Sequence, residues 1–212
     1  MKGRLIAALG LGLLTACSSQ ESPTPAGEDP LVIQAQVMFY QADAKTARPA
    51  PQEPLRLWAP YLVGDMYGSP NEGEVVQVTL TPELSFTMDL RGAGERLEKA
   101  LVPTVFSQKW MAIEPANARL ARVLPFVMPA DNITPVGVSE WLDAESGDRL
   151  ILLYVDRPAR IRGDIVYERR QLLFDIVAEQ AGYLWVSQPQ GDGTYRAVPK
   201  PRKLLLAVLP GE

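Results

Sequence analysis

Apolar residues recur at every second position through most of this chain, in short runs broken by proline and glycine. Few structures other than β-strands satisfy that period. Leu31, Ile33, Ala35, Val37 and Phe39 fall on one face, with Gln34 and Gln36 on the other. Val76, Val78 and Leu80 alternate with Gln77 and Thr79, and Leu84, Phe86, Met88 and Leu90 alternate with Ser85, Thr87 and Asp89. The spacing predicts that these last two strands form a hairpin through Thr81-Pro82-Glu83.

Residues 150–155 are apolar on both faces, as in a strand at the middle of a sandwich. Ile161, Ile165 and Tyr167 mark the next strand, and Leu172, Phe174 and Ile176 the one after it. Residues 183–187 and 194–198 flank Gln190-Gly191-Asp192-Gly193, whose Asp and Gly supply the positive φ of a tight hairpin turn. Residues 204–209 form a final strand.

Helical pattern is scarce. Residues 95–101 suit about two turns with Leu97 and Leu101 inward, and residues 116–124 suit another helix after Pro115 with Leu120, Val123 and Leu124 inward. The 19 prolines and 16 glycines lie between the apolar runs, as expected for many short strands joined by turns. The pattern therefore predicts an all-β fold, a β-sandwich of immunoglobulin-like or transthyretin-like type with one or two short helices. Residues 31–92 and 93–212 are expected as amino-terminal and carboxy-terminal β subdomains, with 31–212 as a single domain the alternative.

Residues 1–16 belong to a different regime. Lys2 and Arg4 precede an apolar run at residues 5–14, and Thr15-Ala16 stand before Cys17, the one cysteine of the chain. That order is a signal peptide, and its apolar run falls short of the roughly 20 residues that a membrane span needs. Leu14-Thr15-Ala16-Cys17 resembles the lipobox of bacterial lipoprotein precursors. The resemblance implies cleavage before Cys17, a diacylglyceryl group on its thiol, and a mature protein held to the membrane by lipid. Ser18, in place of an aspartate, implies the periplasmic face of the outer membrane. Residues 17–30 then carry the lipidated cysteine and a polar, proline-bearing tether.

Removing Lys2 and Arg4 from the 21 basic residues leaves 19 against 25 acidic ones, a net charge of −6. Nothing in that balance favours nucleic acid as a partner. The chain has no histidine, which excludes Ser-His-Asp and Cys-His mechanisms and the usual zinc sites. No cofactor or metal is expected, and no enzymatic activity. An enzyme built from this sequence would have to use paired carboxylates, a Ser-Lys pair or a tyrosine, and Glu140, Asp143, Glu145 and Asp148 bracket a turn at Ser146-Gly147 where acids are expected for turn propensity alone.

Two groups are candidates for binding. Arg157, Arg160 and Arg162 follow the Asp156 turn, and their forks suit a carboxylate, a phosphate or an acidic patch on a partner. The plain alternative is a surface turn whose arginines pair with nearby acids, alternation sending Arg160 and Arg162 to solvent. Trp58 and Tyr61, beside Pro60 and ahead of a Gly- and Pro-bearing loop, are the aromatics expected to be exposed and able to stack on sugar rings. Trp185 is expected in the core.

The leading reading is a lipid-anchored, non-enzymatic module that binds an envelope protein or organises an envelope complex. A carbohydrate or small-ligand binder using Trp58 and Tyr61 is the alternative. Arg48-Pro49-Ala50-Pro51 followed by Leu55-Arg56-Leu57 is similar to a proline-led strand of the transthyretin-like lipoproteins of type VI secretion, a likeness confined to residues 48–57.

Overall fold

The computed structural model describes residues 29–41, 45–63, 71–104, 106, 111–167, 170–188 and 193–211. Cys17 and the leader expected over residues 1–16 lie outside them. The first part of the chain forms β1 (Val32–Phe39), β2 (Leu55–Val63), β3 (Asn71–Thr79), β4 (Ser85–Asp89) and α1 (Ala93–Ala100). Five short or medium strands follow: β5 (Met111–Glu114), β6 (Leu120–Val123), β7 (Phe126–Pro129), β8 (Val138–Asp143) and β9 (Arg149–Val155). The remainder is β10 (Ala159–Tyr167), β11 (Arg170–Ala178), β12 (Gly182–Gln188), β13 (Thr194–Val198) and β14 (Leu204–Leu209).

The protein is all-β, as the period-two pattern predicts, and its strands join in one mixed sheet. The main path runs β4-β1-β14-β8-β9-β12-β13-β11-β10-β5. A branch leaves β9 through β6 to β2, which pairs with β3 on one edge and with β6 and β7 on the other. Residues 150–155 of β9 are all buried because alternate side chains serve two cores. Leu150, Leu152 and Tyr154 join Ile33, Leu57, Met88, Leu97, Trp141 and Leu206 in the first core. Ile151, Leu153 and Val155 join Ile113, Ile161, Phe174, Ile176 and Tyr195 in the second. The first core draws on strands from both sides of residue 91, and β1 pairs in parallel with β14, Val37 opposite Leu206.

α1 agrees with the helix expected near residues 95–101, with Leu97 and Leu101 buried. The second expected helix does not form. Leu120–Val123 is instead a strand held on one edge by β2 and on the other by β9. Two ladders outweigh the local preference of a segment too short to be a stable helix alone. The hairpin predicted across Thr81-Pro82-Glu83 is also corrected. β3 pairs with β2 and β4 with β1, so the turn carries the chain between two parts of the sheet. Leu84 completes that turn at φ 60, its N–H donating to the Thr81 carbonyl and its carbonyl accepting from Val37 N–H. A left-handed leucine costs on the order of 1–3 kcal/mol and persists only where its surroundings impose it.

The strands on either side of Gln190-Gly191-Asp192-Gly193 pair antiparallel as expected, with Val186 opposite Ala197, while residues 190–192 of the turn lie outside the described residues. Gly193 has φ +67, and a Cβ there would meet the Gln171 carbonyl oxygen at 2.7 Å, so the position demands glycine twice over.

Candidate functional site

β9 ends at Val155, and the next side chain, Asp156, is only 4% exposed. Its carboxylate accepts from the Arg119 backbone N–H at 2.8 Å and from Arg119 Nε at 2.9 Å. Arg157 adds Nε at 3.2 Å and Nη2 at 3.1 Å. Burial alone would push this carboxyl up; the bonds from the Arg119 backbone and from the Arg157 and Arg119 side chains outweigh it and hold the group below the usual carboxylate range. Arg119 Nη1 also donates to the Leu101 carbonyl at 3.3 Å. The cluster thus ties the end of β9 to the entry of β6 and to the residue that closes α1.

Alternation sends Arg160 and Arg162 outward, as expected, between the buried Ala159 and Ile161. The three arginines do not converge. Arg157 turns back onto Asp156, while Arg160 reaches across the ladder to Asp175, with Nε at 2.9 Å and Nη2 at 2.7 Å from Oδ1. Arg162 is exposed, opposite Asp175 in the β10–β11 register. Two of the three forks are therefore already occupied by carboxylates of this chain.

Trp58 is half-buried and stacks on Phe126, with ring centroids 5.7 Å apart. Tyr61, expected to be exposed, is 7% exposed and belongs to the first core. The reason is register: Leu55, Leu57, Ala59 and Tyr61 share the inner face of β2, and the irregularity at Pro60 does not reverse it. The aromatic pair proposed for sugar stacking is therefore reduced to Trp58. Trp185 lies in the core, edge-on to Trp141.

Near α1, the Tyr154 hydroxyl donates to Glu98 Oε1 at 2.8 Å, and Tyr183 packs edge-on against Tyr154 with its own hydroxyl buried and without a partner. Both phenols are pushed above their ordinary range, first by burial and then, for Tyr154, by the bond to Glu98. The acidic turn is spent on its own conformation. Asp143 accepts from Glu145 N–H, Glu140 pairs with Arg149, and Asp148 receives Ser187 Oγ. Among the described residues no group of three or more acids, histidines or cysteines gathers to hold a metal ion.

A feature that the pattern of residues does not reveal lies at the far end of β1. A groove of about 710 Å³ opens between residues 50–56 and residues 78–84, with Ala130 beside it. Pro51, Pro54 and Pro82 line it, and Arg56 stands among them. The proline-led segment at residues 48–57 is its only trace in the sequence, because the second wall comes from a turn more than twenty residues away. No family model, no curated protein and no solved structure matches the chain.

Proposed function

We propose that this protein is a lipid-anchored β-sandwich module on the periplasmic face of the outer membrane, where it binds a partner within an envelope complex. The observation that carries the reading is Leu14-Thr15-Ala16-Cys17 at the end of a basic and apolar leader, followed by a short polar segment before the described body begins at Asp29. Acyl chains contribute about 0.8 kcal/mol per buried methylene, so several chains on one cysteine give a durable anchor. The entry to the body is pinned in a way that suits a tether. Lys200 Nζ donates to the Asp29 and Val32 carbonyls, and Arg91 pairs with Asp29. Among the described residues no helix is long and apolar enough to cross a membrane.

Metabolic labelling with a fatty acid tests the anchor. Wild type incorporates label and fractionates with the outer membrane, whereas Cys17→Ser stays unlabelled and uncleaved. Equal labelling of the two defeats the assignment. Crosslinking in intact cells tests the binding role, with a reproducible protein partner as the expected product; glycan fragments alone would transfer support to the carbohydrate reading.

A further inference from the structure

Resting on the reading of the chain as a binding module but not on its anchor, we infer that the groove between residues 50–56 and 78–84 is the binding site, and that it takes an extended peptide by a carboxylate held on Arg56. Charge is the first argument. Arg91, Arg119, Arg149, Arg157 and Arg160 each reach a carboxylate of this chain. Arg56 is half-buried at the groove, and among the described residues its Nη2 donates only to the Asn132 carbonyl, at 3.3 Å, while its Nε is buried with no acceptor. A partly desolvated guanidinium answered by one long bond to a neutral oxygen lacks the anion that it binds best.

The walls select the rest of the ligand. Pro51, Pro54 and Pro82 have no N–H to give and line the groove with their rings, the Pro54 carbonyl already accepting from the Ala130 N–H at 2.8 Å. A phosphate would need several converging donors, and the lining holds one cation, Arg56, with one carboxylate, Glu53, on the same wall. The volume lies within the range of small-ligand pockets.

The site is also built in advance and well placed. Leu84 holds its left-handed conformation through two backbone bonds, and Thr81 Oγ1 is hydrogen-bonded to Ser85 Oγ at 2.8 Å, so this wall needs little ordering when a ligand enters. The Leu84 carbonyl meets Val37, eight residues along from Asp29. At a strand rise of about 3.3 Å per residue, the five steps from Val32 to Val37 carry the groove about 17 Å along β1 from the start of that strand.

The test uses the full chain in detergent and three acetylated pentapeptides: penta-alanine with a free carboxyl terminus, the same peptide amidated, and an amidated Ala-Ala-Glu-Ala-Ala. Amide shifts in NMR titrations report both affinity and place. At least one carboxylate-bearing peptide should bind about tenfold or more tighter than the neutral one, shifting Thr79 and Leu84, as expected for a charge-assisted contact. The stronger of the two tells whether the carboxylate is a chain terminus or a side chain. Arg56→Gln should erase the preference and Arg56→Lys should keep part of it. Equal affinity for all three peptides, no binding by either charged one, shifts elsewhere, or a preference that survives Arg56→Gln overturns the assignment. Should Arg56→Gln fail to fold, the comparison of charged with neutral peptides on the wild type still decides. Failure here leaves the labelling at Cys17 and the cellular crosslink to be read independently.

Discussion

Asp156 shows how a residue written as a turn acid becomes a structural anchor. Its carboxylate collects bonds from a backbone N–H and from two guanidinium groups, and hydrogen bonds to a charged group are worth about 1.5–3 kcal/mol each in favourable settings. Arg119 and Arg157 are 34% and 39% exposed, so they would remain solvated without it. Asp156→Asn should therefore cost about 2 kcal/mol at neutral pH, less than breaking a fully buried pair, measured by urea unfolding. A carboxyl held below its unfolded value of about 3.9 stabilises the fold above that pH and loses its contribution as pH falls through the folded value. Asp89, lowered to about 2 by the side-chain and backbone bonds from Arg91, titrates in the same sense. Wild type should lose stability as the pH drops below about 4, and Asp156→Asn should show a shallower loss there. Tyr183 predicts the opposite sign. Its buried hydroxyl has no partner, so Tyr183→Phe should leave the melting temperature equal or higher; a drop of several degrees would mean that the hydroxyl is satisfied after all.

At the scale of elements, β9 is the strand on which both cores depend. Leu152 and Leu153 are adjacent, 1% and 0% exposed, and point into different cores. Truncation of a buried leucine costs about 2–5 kcal/mol, so Leu152→Ala and Leu153→Ala should each lower stability by about 3 kcal/mol. If either change is mild, its face of β9 is less tightly packed than the burial implies. The double-sided apolar run of residues 150–155 is legible in the sequence as a central strand. Helix 116–124 is not legible as a strand, because Leu120 and Val123 suit either period and only β2 and β9 on its edges decide between them.

For the whole molecule, the parallel β1–β14 pair joins the first and last strands of the body. Removing residues 204–212 would strip β1 and β8 of a shared partner and expose Ile33 and Trp141. The shortened chain should lose its cooperative unfolding transition, checked by circular dichroism and urea titration. In the intact chain, near- and far-ultraviolet signals should unfold together, since the two cores share β9. Separate midpoints would show two units that fold independently.

The sequence by itself determined the all-β class and the apolar faces of the strands with clear alternation, such as β1, β4 and β11, because a side chain's face follows from alternation along a few neighbours. It also carried the order of residues 1–17 on which the proposed leader and anchor rest, a reading that depends on order rather than on folding. The candidate sites were less legible. Tyr61 was placed by the register of β2, Arg157 and Arg160 were claimed by Asp156 and Asp175, and the Arg56 groove required a turn from a distant segment. Strand partners, the parallel pairs and the meeting of two walls are contacts between residues far apart in the chain. Their choice rests on which arrangement buries the most apolar surface with every ladder paired, and that comparison exists only in the assembled structure.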